Sequence, residues 1–501
     1  MSYATPQQFD VPAIREIVPC RLKPWVLLAM VIVYQFSGGI YLAAVNEMVG
    51  STALLQEDIM MAGYASFIGM ALVFAIIFRL KSRFSTRATF IICSTILLLC
   101  NLVAMSTRSV PLLIVACFVA GFFRMWATFE CNSLLHPWIS PQHNFHIFFC
   151  YIFLLVQGCI SLSGMAHAYI AYIMDWQYIH LFVVGLMLVV LIAIALLFNG
   201  RRIYPFMPLY GVDWLGMMLV GVMSMAFVFV CVYGDHYDWF QSEYICVGAI
   251  IAIVAALFNI WRASFIRHPF ICNQTLRYPI VKFVVTLYFI YFFLISPAHL
   301  LEHIYMEGIL GYDLIHSASL NWAVLAGTIA GAWFTWKIFC IHHWHFLTML
   351  TIAFVATAAY LIIFYLTIDY RLPKTFLILP LFLRGFSYVI VAIVLLAAMQ
   401  KQVPFPHFFQ AVTVQNIVCA SLAGAFGTAV LNELLKFVCN RNAMHLSSAL
   451  DSVNTAAAQL SKLELYAMVQ QQALIISIKE LFGVLTMVGI VCTIPLMLRK
   501  S

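Results

Sequence analysis

The sequence predicts an all-α integral membrane protein with about fourteen transmembrane helices. Its composition is 64% hydrophobic and only 9% charged, with a mean hydropathy of +0.99, which a water-exposed surface cannot accommodate. Apolar stretches long enough to cross a bilayer, about 20 residues each, recur between short polar breaks. Lipid offers no partners for free backbone N–H and C=O groups, and barrel strands are about half as long, so these spans must be helices.

Each predicted span is an apolar run of helical length between polar residues. The spans are 24–45, 58–80, 88–107, 110–135, 145–173, 177–198, 211–233, 243–262, 279–303, 315–338, 346–367, 375–399, 407–435 and 472–498.

The distribution of cations predicts the orientation, because Lys and Arg favour the cytoplasmic side of short loops. Fifteen cations fall on one side of this span count: Arg15, Arg21, Lys23, Arg79, Lys81, Arg83, Arg87, Arg201, Arg202, Arg262, Arg267, Arg277, Lys282, Arg499 and Lys500. Loops on the other side carry Glu57, Asp58, Asp235 and Asp238. Both termini are therefore expected in the cytoplasm.

The formal charge of +7 is explained by these loops meeting anionic lipid headgroups, so no nucleic-acid partner is expected. The first 20 residues contain three prolines and no apolar core, which predicts that there is no cleavable signal peptide. Most of the fourteen cysteines stand singly within apolar spans, as Cys93 and Cys419 do, and no Cys/His ligand pattern occurs. We expect buried small side chains there, with no disulfide scaffold, metal or cofactor.

The longest polar intervals divide the chain. Two six-helix halves are expected at 1–198 and 279–501, with an inserted transmembrane pair at 199–278 between them. An external interval near 436–471 contains a predicted amphipathic helix over 455–470. This helix is either a surface-lying loop helix or a docking element for a periplasmic partner.

Internal similarity supports the two halves. The segments LLIVACFVAGFF at 112–123 and LPLFLRGFSYVI at 379–390 each place an apolar run before a small residue and glycine. They lie in the fourth and twelfth spans, which correspond to each other if the halves are repeats.

Motifs distributed over most of the chain carry a family resemblance. They are VNEMV at 45–49, RFSTRATF at 83–90, MDWQYIHLF at 174–182, GVDWLGMMLVGVM at 211–223, DHYDWFQS at 235–242, RHPFI at 267–271, ILGYDLIHSASL at 309–320 and LPLFLRGFS at 379–387. In order and spacing they resemble the fourteen-span drug:proton antiporter branch of the major facilitator superfamily. The resemblance implies the major facilitator fold, with two six-helix halves plus two inserted helices.

The same resemblance implies a bacterial inner membrane, a small-molecule substrate and cooperation with a periplasmic membrane-fusion adaptor and an outer-membrane channel. The sequence also departs from the family pattern. Tyr41 stands at the acidic position of span one, and the span-four motif reads Cys117-Phe-Val-Ala-Gly121, without its arginine. The antiporter motif of span five survives as Gly164 followed by Met165, His167 and Ala168.

Ionisable groups at bilayer depth are costly, so the few present are candidates for proton coupling or gating. Arg124 and Glu130 in span four are six residues apart and point in different directions, so each needs a partner elsewhere. Arg384 matches the span-twelve motif arginine. A pair between Glu130 and Arg384 or Arg124 in one conformation would couple protonation to the switch. Alternatively, Glu130 is an interhelical lock.

Histidines give weaker candidates. His167 is either a protonatable group in span five or a hydrogen-bonded core histidine. The cluster His299, Glu302 and His303 is either an external gate or a set of groups solvated at headgroup level. His342, His343 and His345 are expected to form a cytoplasmic loop patch.

Uncharged polar residues within the spans are candidates for a substrate cavity lined with aromatic and methionine side chains. They are Gln35, Asn46, Asn132, Gln157, Gln415 and Asn416.

Three functions remain open from the sequence. The leading one is a proton-driven exporter of amphipathic organic compounds. The second is an exporter or facilitator of a specific metabolite or lipid, favoured by the missing span-one carboxylate. The third is a membrane-embedded enzyme such as an acyltransferase, which would need an intramembrane His/Asp or His/Asn arrangement; His167 has only Asp175, at the membrane edge, as a neighbouring acid.

Overall fold

The computed structural model describes residues 10–38, 45–52, 54–142, 144–202, 204–450 and 461–498. Within these ranges the regular structure is helical, apart from a single antiparallel bridge between Ile14 and Phe198. Thirteen helices are long and apolar enough to cross a membrane, and one shorter apolar helix precedes them. The prediction of an all-α multi-pass membrane protein is therefore confirmed.

We number the long helices α1 to α14. They are α1 Lys23–Phe36, α2 Gln56–Arg83, α3 Thr86–Ser106, α4 Val110–Ile139, α5 Phe145–Ile173, α6 Gln177–Leu197, α7 Trp214–Tyr233, α8 Glu243–Ala263, α9 Pro279–Ile309, α10 Leu314–Ile341, α11 Phe346–Thr367, α12 Thr375–Gln402, α13 Phe405–Ser448 and α14 Lys462–Leu498.

Three helices contain a π-helical turn, an element often found at functional sites. These turns are Ile304–Ile309 in α9, Trp336–Ile341 in α10 and Ile417–Ala423 in α13. The turn in α9 carries that helix six residues past its predicted end at 303. Residues near that end consequently lie deeper along the helix than the sequence suggested.

The external interval is more helical than expected. α13 continues to Ser448, and α14 begins at Lys462, so residues 462–470 form the first turns of α14. The expectation of a separate amphipathic helix over 455–470 is wrong for this part, because the helix runs on without a break into the last span. Residues 455–460 lie outside the described residues.

Buried apolar side chains form two large cores. The first includes Tyr34, Phe90 and Phe198 and extends to α7 and α8. The second is built mainly from α9 to α14 and includes Tyr291 and Phe482. The division of the chain at 198 and 278 remains a prediction.

Glycines permit the closest helix crossings. A Cβ atom at Gly121 of α4 would lie 2.0 Å from the carbonyl oxygen of Ser66 in α2. A Cβ atom at Gly385 of α12 would lie 2.3 Å from the carbonyl oxygen of Val324 in α10. Only a residue without a side chain fits such backbone-to-backbone contact. These are the two glycines that correspond in the repeated segments.

A carboxylate joins the start of α7 to the end of α8 and to the loop that follows it. Asp213, at the N-cap of α7, accepts hydrogen bonds from Gly216 N (2.9 Å), Phe270 N (3.1 Å) and Arg262 Nη1 (2.8 Å). Burial raises the pKa of Asp213, but these hydrogen bonds outweigh it, so its pKa lies below the ordinary value. The motifs at 211–223 and 267–271 are thus joined in space.

The segment before α1 is attached to the end of α6. Arg15 N donates to Leu197 O (2.8 Å), and Asn199 N donates to Ala13 O (2.9 Å). Residues 11–15 therefore run antiparallel to the chain leaving α6, and α1 begins from a fixed position.

Candidate functional site

A buried ion pair joins α9 to α12. Arg384 Nη1 donates to Glu302 Oε2, and the two side chains are 11% and 1% exposed. The second carboxylate oxygen, Glu302 Oε1, accepts a hydrogen bond of 2.5 Å from the hydroxyl of Tyr360 in α11. Both oxygens of the carboxylate thus have a donor, as a charge removed from water requires.

A pair of hydroxyl groups links α9 to α12 close to Arg384. Ser387 Oγ donates to the carbonyl oxygen of Arg384 (3.1 Å) and lies 3.1 Å from the hydroxyl oxygen of Tyr291 in α9. Residues from α9, α11 and α12 therefore fix the arginine and the carboxylate relative to each other. We call Glu302, Tyr360 and Arg384 the buried carboxylate site.

This site lies about two to two and a half helical turns inside the ends of two candidate spans. Arg384 is nine residues after Thr375, the start of α12, and Tyr360 is seven residues before Thr367, the end of α11. At 1.5 Å per residue these separations are about 14 Å and about 10 Å. The site therefore lies inside the helix bundle, away from the ends of α11 and α12.

The interpretation of Glu302 as a group solvated at headgroup level is wrong, because its side chain is 1% exposed. The π-helical turn extends α9 beyond Glu302, and Tyr360 and Arg384 enclose its carboxylate. Its neighbours in the sequence cluster differ from it: His299 is exposed, and His303 is exposed and lies 3.1 Å from Glu307.

Glu130 forms a second buried carboxylate, in α4. It is 2% exposed, and its Oε1 accepts a hydrogen bond of 2.7 Å from Thr86 Oγ1 in α3. Its Oε2 has no hydrogen-bond partner within the described part of the chain. Lys81 reaches the same turn indirectly, donating to Ser133 Oγ, which in turn donates to Glu130 O (2.8 Å).

Arg124 occupies a different place from Glu130. Its guanidinium contacts Met70 Sδ in α2 and fills the space where a Cβ atom at Gly38 would lie. Arg384 is paired with Glu302, so the pair hypothesised between Glu130 and either arginine is not formed in this conformation.

His167 lies in the core of the helix bundle with a relative exposure of 0%. Neither of its ring nitrogens has a hydrogen-bond partner among the residues described. The interpretation as a hydrogen-bonded core histidine is therefore only half correct: the ring is buried but its polar atoms are unsatisfied. Such atoms are rare in folded proteins and call for an explanation.

The polar cavity candidates differ in how well they are satisfied. Gln35 Nε2 donates to Thr128 Oγ1 (2.9 Å), which ties α1 to α4. Asn132 Oδ1 and Gln415 Oε1 are buried and have no partner in the described ranges. Both oxygens are therefore buried and unsatisfied in this conformation.

The other cavity candidates are less informative. Asn416 Nδ2 donates to Val412 O of its own helix (2.9 Å), and Gln157 is partly exposed. The side chain of Asn46 lies outside the described residues, as does Tyr41.

Phenylalanines close one end of the contact between α2, α4 and α13. The ring centroid of Phe78 lies 5.2 Å from that of Phe405 and 4.6 Å from that of Phe409. The ring of Phe129, in α4, lies 5.8 Å from that of Phe409. This end of the bundle also carries the basic loop between α2 and α3, and we call it the basic end.

The described arrangement was compared with known proteins. No protein-family model and no curated protein sequence matches the chain. Among solved structures, the human organic anion transporter MFSD10 aligns with a TM-score of 0.53 and 11% identity, covering 94% of this chain and 100% of that one. The chain has the major facilitator fold.

Two further solved structures share the major facilitator fold. A peptide transporter, POT, in complex with sulfate, aligns with a TM-score of 0.58 and 13% identity over 95% of each chain. The nucleoside transporter NupG aligns with a TM-score of 0.52 and 11% identity, covering 96% of this chain and 99% of that one. Three transporters named for different substrates therefore share this fold, and the likeness extends over nearly the whole chain.

Sequence reasoning missed Tyr360 and the pairing of Glu302. A usable signal was present: Glu302 and Arg384 are opposite charges in two apolar spans that are both neighbours of α11. The sequence does not reveal which helix faces meet, because the partners are 82 residues apart.

Proposed function

We propose that this protein is a secondary transporter that moves a small organic solute across a membrane by alternating access, with proton coupling at the buried carboxylate site. The observation that carries the proposal is the Glu302–Arg384 pair, completed by Tyr360 and buried between candidate membrane spans. Such an ionisable pair is costly to keep there and typically marks a solute or proton pathway. The major facilitator fold supports transport as the general activity.

Protonation provides the coupling step. A guanidinium cannot shuttle a proton, whereas the Glu302 carboxylate can accept one and lose its attraction for the guanidinium. A charge pair 4 Å apart interacts by about 4 kcal/mol at an effective dielectric constant of 20. Since about 5.5 kcal/mol moves a two-state equilibrium from 1:99 to 99:1, this change strongly biases the choice of conformation.

The released Arg384 also explains how a solute can participate. A buried guanidinium without its carboxylate favours any anionic group that reaches it. The unsatisfied oxygens of Asn132 and Gln415 supply hydrogen-bond acceptors elsewhere in the spans. We therefore propose an amphipathic organic solute, exported in exchange for protons.

The remaining parts of the proposal come from the resemblance. They are membership of the fourteen-span drug:proton antiporter branch, a bacterial inner membrane with both termini cytoplasmic, and cooperation with a periplasmic membrane-fusion adaptor and an outer-membrane channel. Glu130, Arg124 and His167 remain further candidates for coupling or gating, in the other half of the proposed repeat.

The test uses purified full-length protein in liposomes that contain a pH-sensitive dye. A panel of organic anions, cations and zwitterions is added, and proton movement is compared between wild type, Glu302→Gln and Glu130→Gln. We expect solute-dependent proton flux in the wild type, and its loss in Glu302→Gln. Glu480→Gln is a matched control, because Glu480 pairs with Arg441 on the exposed surface (2.5 Å).

The facilitator function is the second candidate, favoured by Tyr41 at the expected acidic position. Solute uptake without proton movement in every variant would support it and contradict coupling at Glu302. Loss of flux in Glu130→Gln but not in Glu302→Gln would move the coupling group to α4.

A further inference from the structure

Two cysteines face each other between α5 and α10. Cys150 Sγ lies 3.8 Å from Cys340 Sγ, and the residues are 5% and 6% exposed. They are 190 positions apart in the chain, so their contact is a product of the fold. Disulfide formation needs the sulfur atoms to approach by a further distance of about 1.8 Å.

The pair lies at the basic end. Cys150 is five residues after Phe145, the start of α5, and Cys340 is the last residue but one of α10. The rings of His146 and Phe339 pack against each other beside the cysteines, with centroids 5.4 Å apart. This contact therefore joins the same ends of two helices that the sequence assigns to different halves.

The rest of the α5–α10 interface is also close. Gly158 of α5 faces Leu325, and Gly164 faces Asn321. A bond at the basic end would be added to helices already packed along their length, so it requires no large rearrangement.

We propose that Cys150 and Cys340 form a reversible disulfide when the protein meets a peroxide, and that this bond locks the basic end closed. One thiolate attacks the peroxide, giving a sulfenic acid and releasing hydroxide. The second thiol displaces water from the sulfenic sulfur, giving the disulfide. In total, two thiols are oxidised and one hydrogen peroxide is reduced to two waters.

The consequence follows from the geometry of transport. Alternating access requires the two bundles to separate at one end and then at the other. A covalent link between α5 and α10 at the basic end prevents separation there, while a reducing environment removes it. This lock needs no particular solute, so it stands even if coupling at Glu302 is disproved.

The first test detects the bond. A protease site is inserted between Met207 and Pro208, two exposed residues of the loop between α6 and α7. Full-length protein in membranes is treated with hydrogen peroxide, blocked with a maleimide, cleaved and run on a denaturing gel without reductant. We expect the two fragments to remain joined in the wild type and to separate after dithiothreitol.

Variants identify the cysteines. The fragments should separate in Cys150→Ala and in Cys340→Ala, and remain joined in Cys159→Ala, which removes another buried thiol of α5. Fragments that separate in the treated wild type, or that remain joined in Cys150→Ala, would overturn the assignment.

The second test measures the lock by hydrogen exchange. We expect peroxide to slow amide exchange at least several-fold at the adjoining ends of α5 and α10, reversibly, and only when both cysteines are present. A confirmed disulfide without this slowing would overturn the lock.

Discussion

The stability lost in the two single variants of the buried carboxylate site, added together, should far exceed the stability lost in the double variant. Glu302→Gln leaves the Arg384 guanidinium, 11% exposed, without a negative partner. Arg384→Gln leaves a carboxylate that is 1% exposed with Tyr360 as its remaining donor. Removing one partner of a buried pair costs about 3–5 kcal/mol, so each single variant should lose that much stability.

The double variant Glu302→Gln, Arg384→Gln carries no charge at this site, and its two amides can hydrogen-bond to each other. The free energy of unfolding lost in the double variant should therefore be well below the sum of the losses in the two single variants. The difference is the coupling energy, which should be at least about 2 kcal/mol. Unfolding free energies come from SDS titration of the purified protein in mixed micelles. The cycle built on Glu480 and Arg441 is the exposed control and should give about 0–1 kcal/mol.

Additive losses in the buried cycle would refute this reasoning. They would mean that Glu302 and Arg384 act independently, and that the pair does not store the energy assigned to it.

Three other predictions follow from contacts described above. Gly121→Leu should abolish the monodisperse peak in size-exclusion chromatography, because a Cβ would strike backbone, whereas Gly185→Leu, with nothing within 4 Å, should leave it unchanged. Asp213 should stabilise the wild type above about pH 3.9, and this stabilisation should be lost as the pH falls through its lowered native pKa. Asp213→Asn should lack this pH-dependent stabilisation when thermal unfolding is measured as a function of pH. Thr86→Val should lower the free energy of unfolding by about 1.5–3 kcal/mol if Glu130 is ionised and by about 1 kcal/mol if it is protonated. The loss of stability measured for this variant should therefore become smaller as the pH is lowered.

Hydropathy predicted the helices well because a bilayer imposes both length and polarity on each span. The exceptions have physical causes. α13 and α14 run beyond the membrane, where polar residues such as Asn440 and Glu464 continue a helix without the apolar signal. The π-helical turn of α9 carries that helix past His303, the residue at which its predicted span ends.

The site was only partly predictable. Arg384 and Glu130 could be singled out from the sequence, because a charged residue within an apolar span is visible there and burying its charge costs free energy. Pairing depends on which helix faces meet, and a single chain contains no record of that across 82 positions. Glu302 was misjudged because it stands next to a predicted span end, a boundary known only to within several residues.

Because residues 11–15 are hydrogen-bonded to the end of α6, a movement of α6 is transmitted to the segment that precedes α1. Asp10 also forms an ion pair with Lys23, the first residue of α1. A pulling force applied at Asp10 would therefore first load this ion pair and the backbone hydrogen bonds of Arg15 and Asn199, before α1 unwinds. The same short segment thus links the end of α6 to the start of α1 and bears any force that is applied to the chain before α1.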